Sequence, residues 1–567
     1  MRTAFLSLLL ILNIHFSFCQ ITDNQKAQTI IEQRGEVYFS FIPTTDISIE
    51  EITSIISIDK IDANNRIYAY ANHQAFLDFS KLRIAFQIEQ EAYLLYSPQM
   101  APSVAAFMQN WDSYPTYDQY DSLMHKLASD YPSLCRLHNL GNLPSGRQIL
   151  ALQLGDSVGV YQKEPRFLYT SSMHGNELTA YVLMLRFATY LLSNYGQIPQ
   201  VDSLMNNVEI WINPLANPDG AYQAGNNSLS AASRYNANFT DLNRNYPDPE
   251  DGQHPDGKAW QPETVIFMNF ADSMHFTMSA NFHGGAEVMN YPWDTWAKLP
   301  ADNDWWKYVC QQYADSAQTY GWPNYFVGPS AANGSGVVNG YQWYTTYGGR
   351  QDYMNYFQQC REVTSEISSV KIPQASSLPA YWNANYRSFL NYINQVRFGL
   401  RGFISDSISG SPLSAKVFIN SHDKDESHVF SHLPYGDYYR LLDSGYYSIT
   451  FSADHYYSKT VDSVLIFRDQ SRNLDIALVP DYTSLEKVKA SSFILFPNPT
   501  HYQVHIISRI LFQKIALLSL DGKLIKEWEI LDTNETTINI NGIIPGIYLV
   551  RIIGKKGSSQ YQKLIIQ

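Results

Sequence analysis

Apolar runs and turn residues divide the chain into blocks of different texture. Between residues 113 and 396, continuous apolar stretches such as "RFLYTSS", "VEIWINP" and "FTMSANF" alternate with helical patterns, "LTAYVLMLRFATYLLSNY" and "YWNANYRSFLNYINQVRFG". Strands that are apolar throughout need cover on both faces. The alternation therefore predicts an α/β domain with a mostly parallel or mixed central sheet flanked by helices. Residues 20–100 read as a small α/β unit, with β runs in "EVYFSF" and "RIYAYA" and a helical pattern in "ISIEEITSIIS". The stretch that ends it, "YSPQMAPSVAAF", is expected to be a linker or processing region. After Gly399 the pattern changes to short alternating strands with Gly, Ser and Pro turns, which predicts an all-β sandwich over 400–480. A polar link, "DYTSLEKVKASS", then leads to a second β-rich module over 491–567.

A chain of 567 residues exceeds what one hydrophobic core organises, in keeping with several folding units. Hydrophobic content of 45% with 16% charged residues describes globular domains, and a net charge of -13 argues against a nucleic-acid partner, which would want a basic face. The opening "MRTAFLSLLLILNIHFSFCQ" has one basic residue, Arg2, then roughly a dozen apolar residues and the small Ser17 and Cys19, the layout of an export signal spanning 1–19 and cleaved before Gln20. Bulky Phe18 fits poorly with lipidation of Cys19. The apolar run is short of the ~20 residues that cross a bilayer, and no later stretch predicts an integral membrane span. Cys135, Cys310 and Cys360 remain after the signal; an odd number permits one disulfide with a thiol left over, and the pairing stays open. None has the CxxC spacing of a zinc knuckle.

Candidate chemistry gathers where the apolar runs stop. His174 and Glu177, in "HGNE", and His283, in "SANFHGGAEVMNYPWD", directly follow strand-like segments, the ends at which α/β sheets collect their chemistry. A hydrolytic metal site needs about three N or O ligands with a position left for water. His174 and Glu177, three apart on a turn entering a helix, can face the same way. His283 offers a third ligand, with two glycines clearing the space in front of it. Taken singly, though, His283 reads as a core histidine, and one His-x-x-Glu is expected by chance in a chain with 14 His.

The motifs taken in order, "HGNE", "TDLNRNYPD", "SANFHGGAEVMNYPWD" and "CREVTSEIS" followed by "KIP", resemble the zinc metallocarboxypeptidases. The nearest resemblance is to the regulatory subfamily that includes carboxypeptidases E, N, M and D, and it covers most of 113–396. It implies a carboxypeptidase-like fold and one Zn2+ per catalytic domain, held by His174, Glu177 and His283. Glu366, within Thr364-Ser365-Glu366-Ile367, matches the catalytic base, a carboxylate free to move a proton between water and leaving amine. Asn243 and Arg244 match the pair that grips the substrate's free carboxylate, a task suited to a forked guanidinium. Arg234 matches the arginine that steadies the oxyanion, and Tyr344 the mobile tyrosine that closes over substrate. Asp294 and Gln351 match the acidic floor of the pocket for the terminal side chain. A buried carboxylate there rejects apolar residues and accepts Lys or Arg.

Without the resemblance, Glu366 is an ordinary strand-end acid, the arginines are surface charges, Tyr344 packs, and Asp294 caps a helix in "DTWAKL". Two departures stand out. Glu287 occupies a usually aliphatic position close after His283 and is expected to perturb the pocket, and "QDYMNY" is longer in its aromatic spacing than the usual "QDYNY".

The flanking modules carry resemblances of their own. Residues 400–480 resemble the transthyretin-like β domain attached to these carboxypeptidases. "FPNPT", "DGKLIK", "IPGIYLVRI" and "KLIIQ" in 491–567 resemble the C-terminal sorting domain of the type IX secretion system. Signal and sorting domain together imply passage through the periplasm to secretion or the cell surface, with the type IX machinery as partner and peptide or protein C-termini as substrate. Residues 20–100 are expected to be prodomain-like. Two alternatives stay open: a carboxypeptidase for apolar or peptidoglycan stem-peptide termini, and a non-enzymatic surface binding protein.

Overall fold

The computed structural model describes residues 23–45, 47–62, 64–481, 493–554 and 559–567. The expected signal segment and nearly all of the polar link lie outside them. The described residues form two compact units, one holding residues up to 453 together with 458–478, the other 454–457 with 479–567.

The first unit begins with an antiparallel sheet of β1 (Val37–Phe41), β2 (Ser57–Ile61), β3 (Ile67–Ala71) and β4 (Phe86–Ile88), in the order β2-β3-β1-β4. Helices Ile49–Ile55 and His73–Lys81 start on side-chain caps: Ser48 Oγ accepts from Glu51 N–H and Asn72 Oδ1 from Ala75 N–H. Phe39, Phe41, Phe76 and Phe79 form the buried centre. The stretch expected to be a linker is instead packed. Tyr96 Oη donates to the Ile372 carbonyl, Ala101 N–H to Tyr114 O at 2.7 Å, and Phe107 is buried. Its Pro and Ser mark turns, but the apolar residues between them bury it.

The central sheet has eight strands: β5 (Cys135–Asn142), β6 (Gln148–Leu154), β7 (Arg166–Ser171), β8 (Glu209–Asn213), β9 (Met278–His283), β10 (Glu287–Tyr291), β11 (Val337–Asn339) and β12 (Arg361–Ile367). Their order is β11-β10-β12-β9-β7-β8-β6-β5. β12, β9, β7 and β8 run parallel at the centre, while β10 opposes β12 and β6 opposes both β8 and β5. Alternation along β7 splits its side chains between two cores. Phe167 and Tyr169 pack with Phe187 and Phe389 from helices Thr179–Asn194 and Leu378–Asn394, and Leu168 packs with Trp211, Phe267 and Met354 on the other face. The three cysteines are free and buried; Cys135 and Cys310 lie in the first core and Cys360 in the second.

Beyond Phe398 two small sheets follow. In one, strand Gly399–Asp406 lies between Asp437–Arg440 and Ile476–Pro480; in the other, Gly445–Ser452 lies between Lys416–Ile419 and Lys459–Ile466. Asp302 locks these sheets to the helical layer. Its carboxylate accepts from Arg440 Nη1 and Nη2 at 2.9 Å each, from Arg361 Nη2 at 2.9 Å, and contacts His422 Nε2 at 2.9 Å. Burial opposes the charge on Asp302, but Arg440 and Arg361 outweigh it and hold the carboxyl well below its usual range.

In the second unit one antiparallel sheet contains Phe493–Phe496, Gln503–Leu518, Leu524–Asn539, Gly546–Gly554 and Ser559–Ile566. Its core is Val504, Ile506, Phe512, Ile515, Val550, Ile552 and Leu564.

Candidate metal centre

Three neighbouring parallel strands deliver the site. β9 ends on His283, Glu366 of β12 stands opposite it in register, and the turn after β7 carries His174 and Glu177. That turn is tightly constrained. Ser172 Oγ donates to Glu177 O at 2.9 Å and Glu177 N–H to His174 O at 3.1 Å. A Cβ on Gly175 would stand 2.3 Å from the Gly220 carbonyl carbon, so the two backbones can touch only because residue 175 has no side chain.

His174 Nδ1 and His283 Nδ1 are 3.1 Å apart, and they lie 3.0 and 2.9 Å from Glu177 Oε2. Donor atoms about 2.0–2.1 Å from a tetrahedral zinc lie ~3.3 Å from each other, so the spacing suits such an ion. The chemistry fits as well: two imidazole nitrogens and a carboxylate turned on one another repel unless a cation is shared. Among the described residues this is the one His/Cys/Asp/Glu group so arranged.

A surrounding layer orients these donors. Asp241 Oδ1 contacts His174 Nε2 at 3.1 Å, and Oδ2 accepts from Arg234 Nε at 3.0 Å and Ser57 Oγ at 2.6 Å. A carboxylate on Nε2 holds the proton there and leaves Nδ1 a lone pair. On the other imidazole Asn281 lies 2.7 Å from His283 Nε2, and with its amide turned Oδ1 inward it serves the same purpose. Lys371 Nζ donates to Glu177 Oε1 at 2.8 Å and Gly284 O at 2.7 Å.

Burial alone would raise Glu177, but the charges of His174, Lys371 and His283 outweigh it and hold its carboxyl well below the usual range. Burial pushes His283 down to about 4. Glu366 moves the other way: burial, then the negative charge of Glu177, lifts it well above an ordinary glutamate. Its Oε2 is buried and has no hydrogen-bond partner.

Every predicted site residue except Gln351 lines one cavity. Arg234, 3% exposed, places Nη1 3.7 Å from Glu177 Oε1. Asn243 Oδ1 accepts from Arg350 N–H at 2.9 Å. Arg244 donates from Nη1 to Asn243 O at 2.9 Å, while its buried Nε and Nη2 have no partner. Asp294 Oδ1 accepts from Gln351 Nε2 at 3.1 Å, so Gln351 sits behind Asp294 rather than in the cavity wall. Tyr344 packs beside Trp343 and against the core of the N-terminal sheet.

Two expectations fail here. Asp294 caps no helix, because the chain stays irregular until Asn303–Tyr320 begins; its Oδ1 accepts from Asn290 and Gln351 instead. Glu287 does not reach the cavity. Its carboxylate turns outward to accept from Ser369 N–H at 3.1 Å and Phe326 N–H at 3.5 Å.

The N-terminal unit lies across the site, a relation that the sequence did not reveal. Asp59 Oδ1 is 2.7 Å from Lys371 Nζ, and Glu36 accepts from Ser233 Oγ at 2.8 Å and Arg234 N–H at 3.1 Å. The Tyr70 ring lies 5.6 Å from the Arg234 guanidinium. Asp59 is itself a wall of the cavity, which is left with about 30 Å³, room for a water molecule but not for an amino-acid residue.

A mixed sheet presenting two histidines clustered with one acid, and a separate unpaired acid, at its carboxyl edge has the make-up of a single-metal hydrolase class of site. Comparison with known proteins agrees. A family model described as zinc carboxypeptidase matches residues 120–388, and a secretion system C-terminal sorting domain matches 494–567. Carboxypeptidase D of Homo sapiens is 36% identical over 352 residues, 60% of this chain and 25% of its own length. Carboxypeptidase M of Mus musculus is 34% identical over 349 residues, covering 58% of this chain and 75% of the relative. A solved carboxypeptidase A from Helicoverpa armigera superposes with a TM-score of 0.48 at 16% identity, over 63% of this chain and 97% of that one. The chain belongs to the zinc carboxypeptidase family. It spans 25% of the length of carboxypeptidase D.

Proposed function

We propose that the protein is an exported zinc carboxypeptidase that removes single Lys or Arg residues from the C-termini of peptides. The observation that carries this reading is a pair of unpartnered groups in one cavity: Glu366 Oε2, and Arg244 Nε and Nη2. An acid and a guanidinium left unsatisfied beside a His-Glu-His cluster await ligands from outside.

His174, Glu177 and His283 would hold the ion, which when bound supplies a Lewis acid that polarises the scissile carbonyl and acidifies an attacking water. Arg244 and Asn243 fix the terminal carboxylate of the substrate and so limit cleavage to the last peptide bond. Glu366, its affinity for protons raised by burial, takes the proton of the attacking water and returns it to the departing amine. Arg234 donates to the oxygen on which negative charge develops, and Tyr344 shields the reacting groups from bulk water. Asp294 receives the cationic side chain.

The N-terminal unit acts in this reading as a prodomain whose Asp59 neutralises Lys371 while Ser57 and Glu36 tie down Asp241 and the Arg234 backbone. The sorting domain directs the chain through type IX secretion to the medium or the cell surface.

Peptides that differ only in a terminal Lys, Arg, Phe or Glu test the reading by mass spectrometry, alongside metal analysis. Loss of Lys or Arg alone is expected, and Glu366→Gln should stop turnover while keeping one zinc per chain. Release of Phe in preference to Lys would overturn the specificity, and full activity in Glu366→Gln would remove that residue from its role.

A further inference from the structure

A second acid stands behind Asp294. Asp352, 1% exposed in the first turn of helix Arg350–Phe357, turns both oxygens onto the backbone at Asp294. It accepts from Asp294 N–H at 3.1 Å (Oδ1) and 3.0 Å (Oδ2), and from Thr295 N–H at 2.8 Å. Asp294 in turn uses Oδ1 twice, for Asn290 Nδ2 at 3.0 Å and Gln351 Nε2 at 3.1 Å. Gly340 seals that oxygen, since a Cβ there would come within 1.8 Å of it. Asp294 Oδ2 makes no hydrogen bond among the described residues.

A separate observation indicates what the pocket takes. Asn290, 7% exposed, lines the same cavity and spends its Nδ2 on Asp294, so that its buried Oδ1 is left without a donor. An orphan amide oxygen beside a free carboxylate oxygen asks for a ligand rich in N–H groups, which an ammonium or guanidinium is and an apolar side chain is not. The charged groups around the pair are also unbalanced. Asp248 faces it from the turn before Gly252 and accepts from Thr295 Oγ1 at 3.1 Å and Gly348 N–H at 3.0 Å; Arg244 is the cation that acts on Asp294. Burial pushes Asp294 up to about 6, and burial together with the charge of Asp294 lifts Asp352 well above the carboxylate range. Two such neighbours titrate as one unit.

Resting on the basic specificity proposed above, we propose that Asp352 is a positioning residue for it. With Asp294 it forms a two-acid seat that keeps a proton until the side chain of a C-terminal Lys or Arg docks, and then loses that proton to solvent. One carboxyl O–H bond breaks, the proton passes to water, and no covalent bond forms to the substrate. Binding of a basic terminus is therefore coupled to pH through the pocket, separately from the metal ligands and Glu366.

The test is calorimetric titration of the Glu366→Gln protein, nicked between 97 and 103 to uncover the cleft, with Ala-Ala-Lys and Ala-Ala-Phe, in two buffers of different ionisation enthalpy. At pH 6.5 Ala-Ala-Lys should bind with release of about one proton, and Ala-Ala-Phe with almost none. Asp352→Asn should bring the release for Ala-Ala-Lys near zero. As pH is lowered from 6 to 5 the affinity of the Asp352-containing protein for Ala-Ala-Lys should fall about tenfold, a result that does not depend on whether the variant folds. A preference for Lys without proton release, or release unchanged by Asp352→Asn, overturns the two-acid seat and leaves the specificity standing. Equal binding of both tripeptides overturns the specificity itself and the seat with it.

Discussion

Asp59→Asn tests the closure of the cleft. Lys371 Nζ has three acceptors, Asp59 at 2.7 Å, Glu177 at 2.8 Å and Gly284 O at 2.7 Å, and both Asp59 and Lys371 side chains are 6% exposed. Removing a partner from an isolated buried ion pair costs about 3–5 kcal/mol, because a charge is left uncompensated. Here Glu177 still neutralises Lys371, and asparagine keeps the size and an acceptor oxygen. What is lost is the difference between a charged and a neutral hydrogen bond, about 1.4 kcal/mol. That corresponds to ~tenfold in the balance between covered and uncovered cleft. The remaining ties, Glu36 to Ser233 and Arg234, and Ser57 to Asp241, are unchanged, so the unit is loosened and not released. The assay is kcat/KM of the full chain on a Lys-terminated dipeptide reporter, before and after proteolytic nicking between 97 and 103. The intact variant should be about tenfold more active than the unsubstituted chain, and nicking should erase the difference. Equal or lower activity in a well-folded intact variant would refute the role given to Asp59.

Asp241→Asn weakens the hold on the His174 tautomer and should lower zinc affinity about 10–100-fold, read by competition with a chromogenic chelator. Glu36 is pushed up to about 7 by burial and then by Glu91, so its neutral form favours the covered state. That favour is present below the ordinary glutamate pKa of about 4.3 and is lost as pH rises to 7, on the order of 3 kcal/mol; nicking by protease should quicken over this range, and less so in Glu36→Gln. Asp302 is the reverse case, a carboxyl held down by Arg440 and Arg361. Its contribution is complete above the ordinary aspartate pKa of about 3.9 and drains away as pH falls below it. Asp302→Ala at neutral pH should cost about 3–5 kcal/mol in denaturant melts, because it leaves the buried Arg361 guanidinium without its carboxylate partner.

The pattern of apolar runs was enough to place the candidate ligands at strand ends, because buried parallel strands have nowhere else to present polar groups. His174 and His283 follow β7 and end β9 for that reason. Glu366 and the arginines carried no such signal, and only the ordered motifs pointed to them. Asp241 lay inside one of those motifs, two residues before Asn243, and an acid placed to meet a ligating histidine was the signal available. Lys371 and Asn281 gave less, since their partners come from distant segments. Asp59 was beyond reach altogether, because its meaning depends on how one folding unit is laid over another. The cysteines illustrate the same limit: their count allowed a disulfide, but the cores that hold Cys135 and Cys360 lie on opposite faces of the sheet. Taken without the ordered motifs, Asp294 resembles a helix cap, because Asp before a polar-apolar run usually is one; here Asp352 already takes the neighbouring N–H groups.

The most direct measurement follows the mass of a peptide ending in Lys-Lys during incubation with zinc-loaded protein nicked between 97 and 103. The account predicts successive losses of one lysine from the C-terminus, abolished by a chelator and restored by zinc. An unchanged peptide, or fragments from internal cleavage, would contradict it.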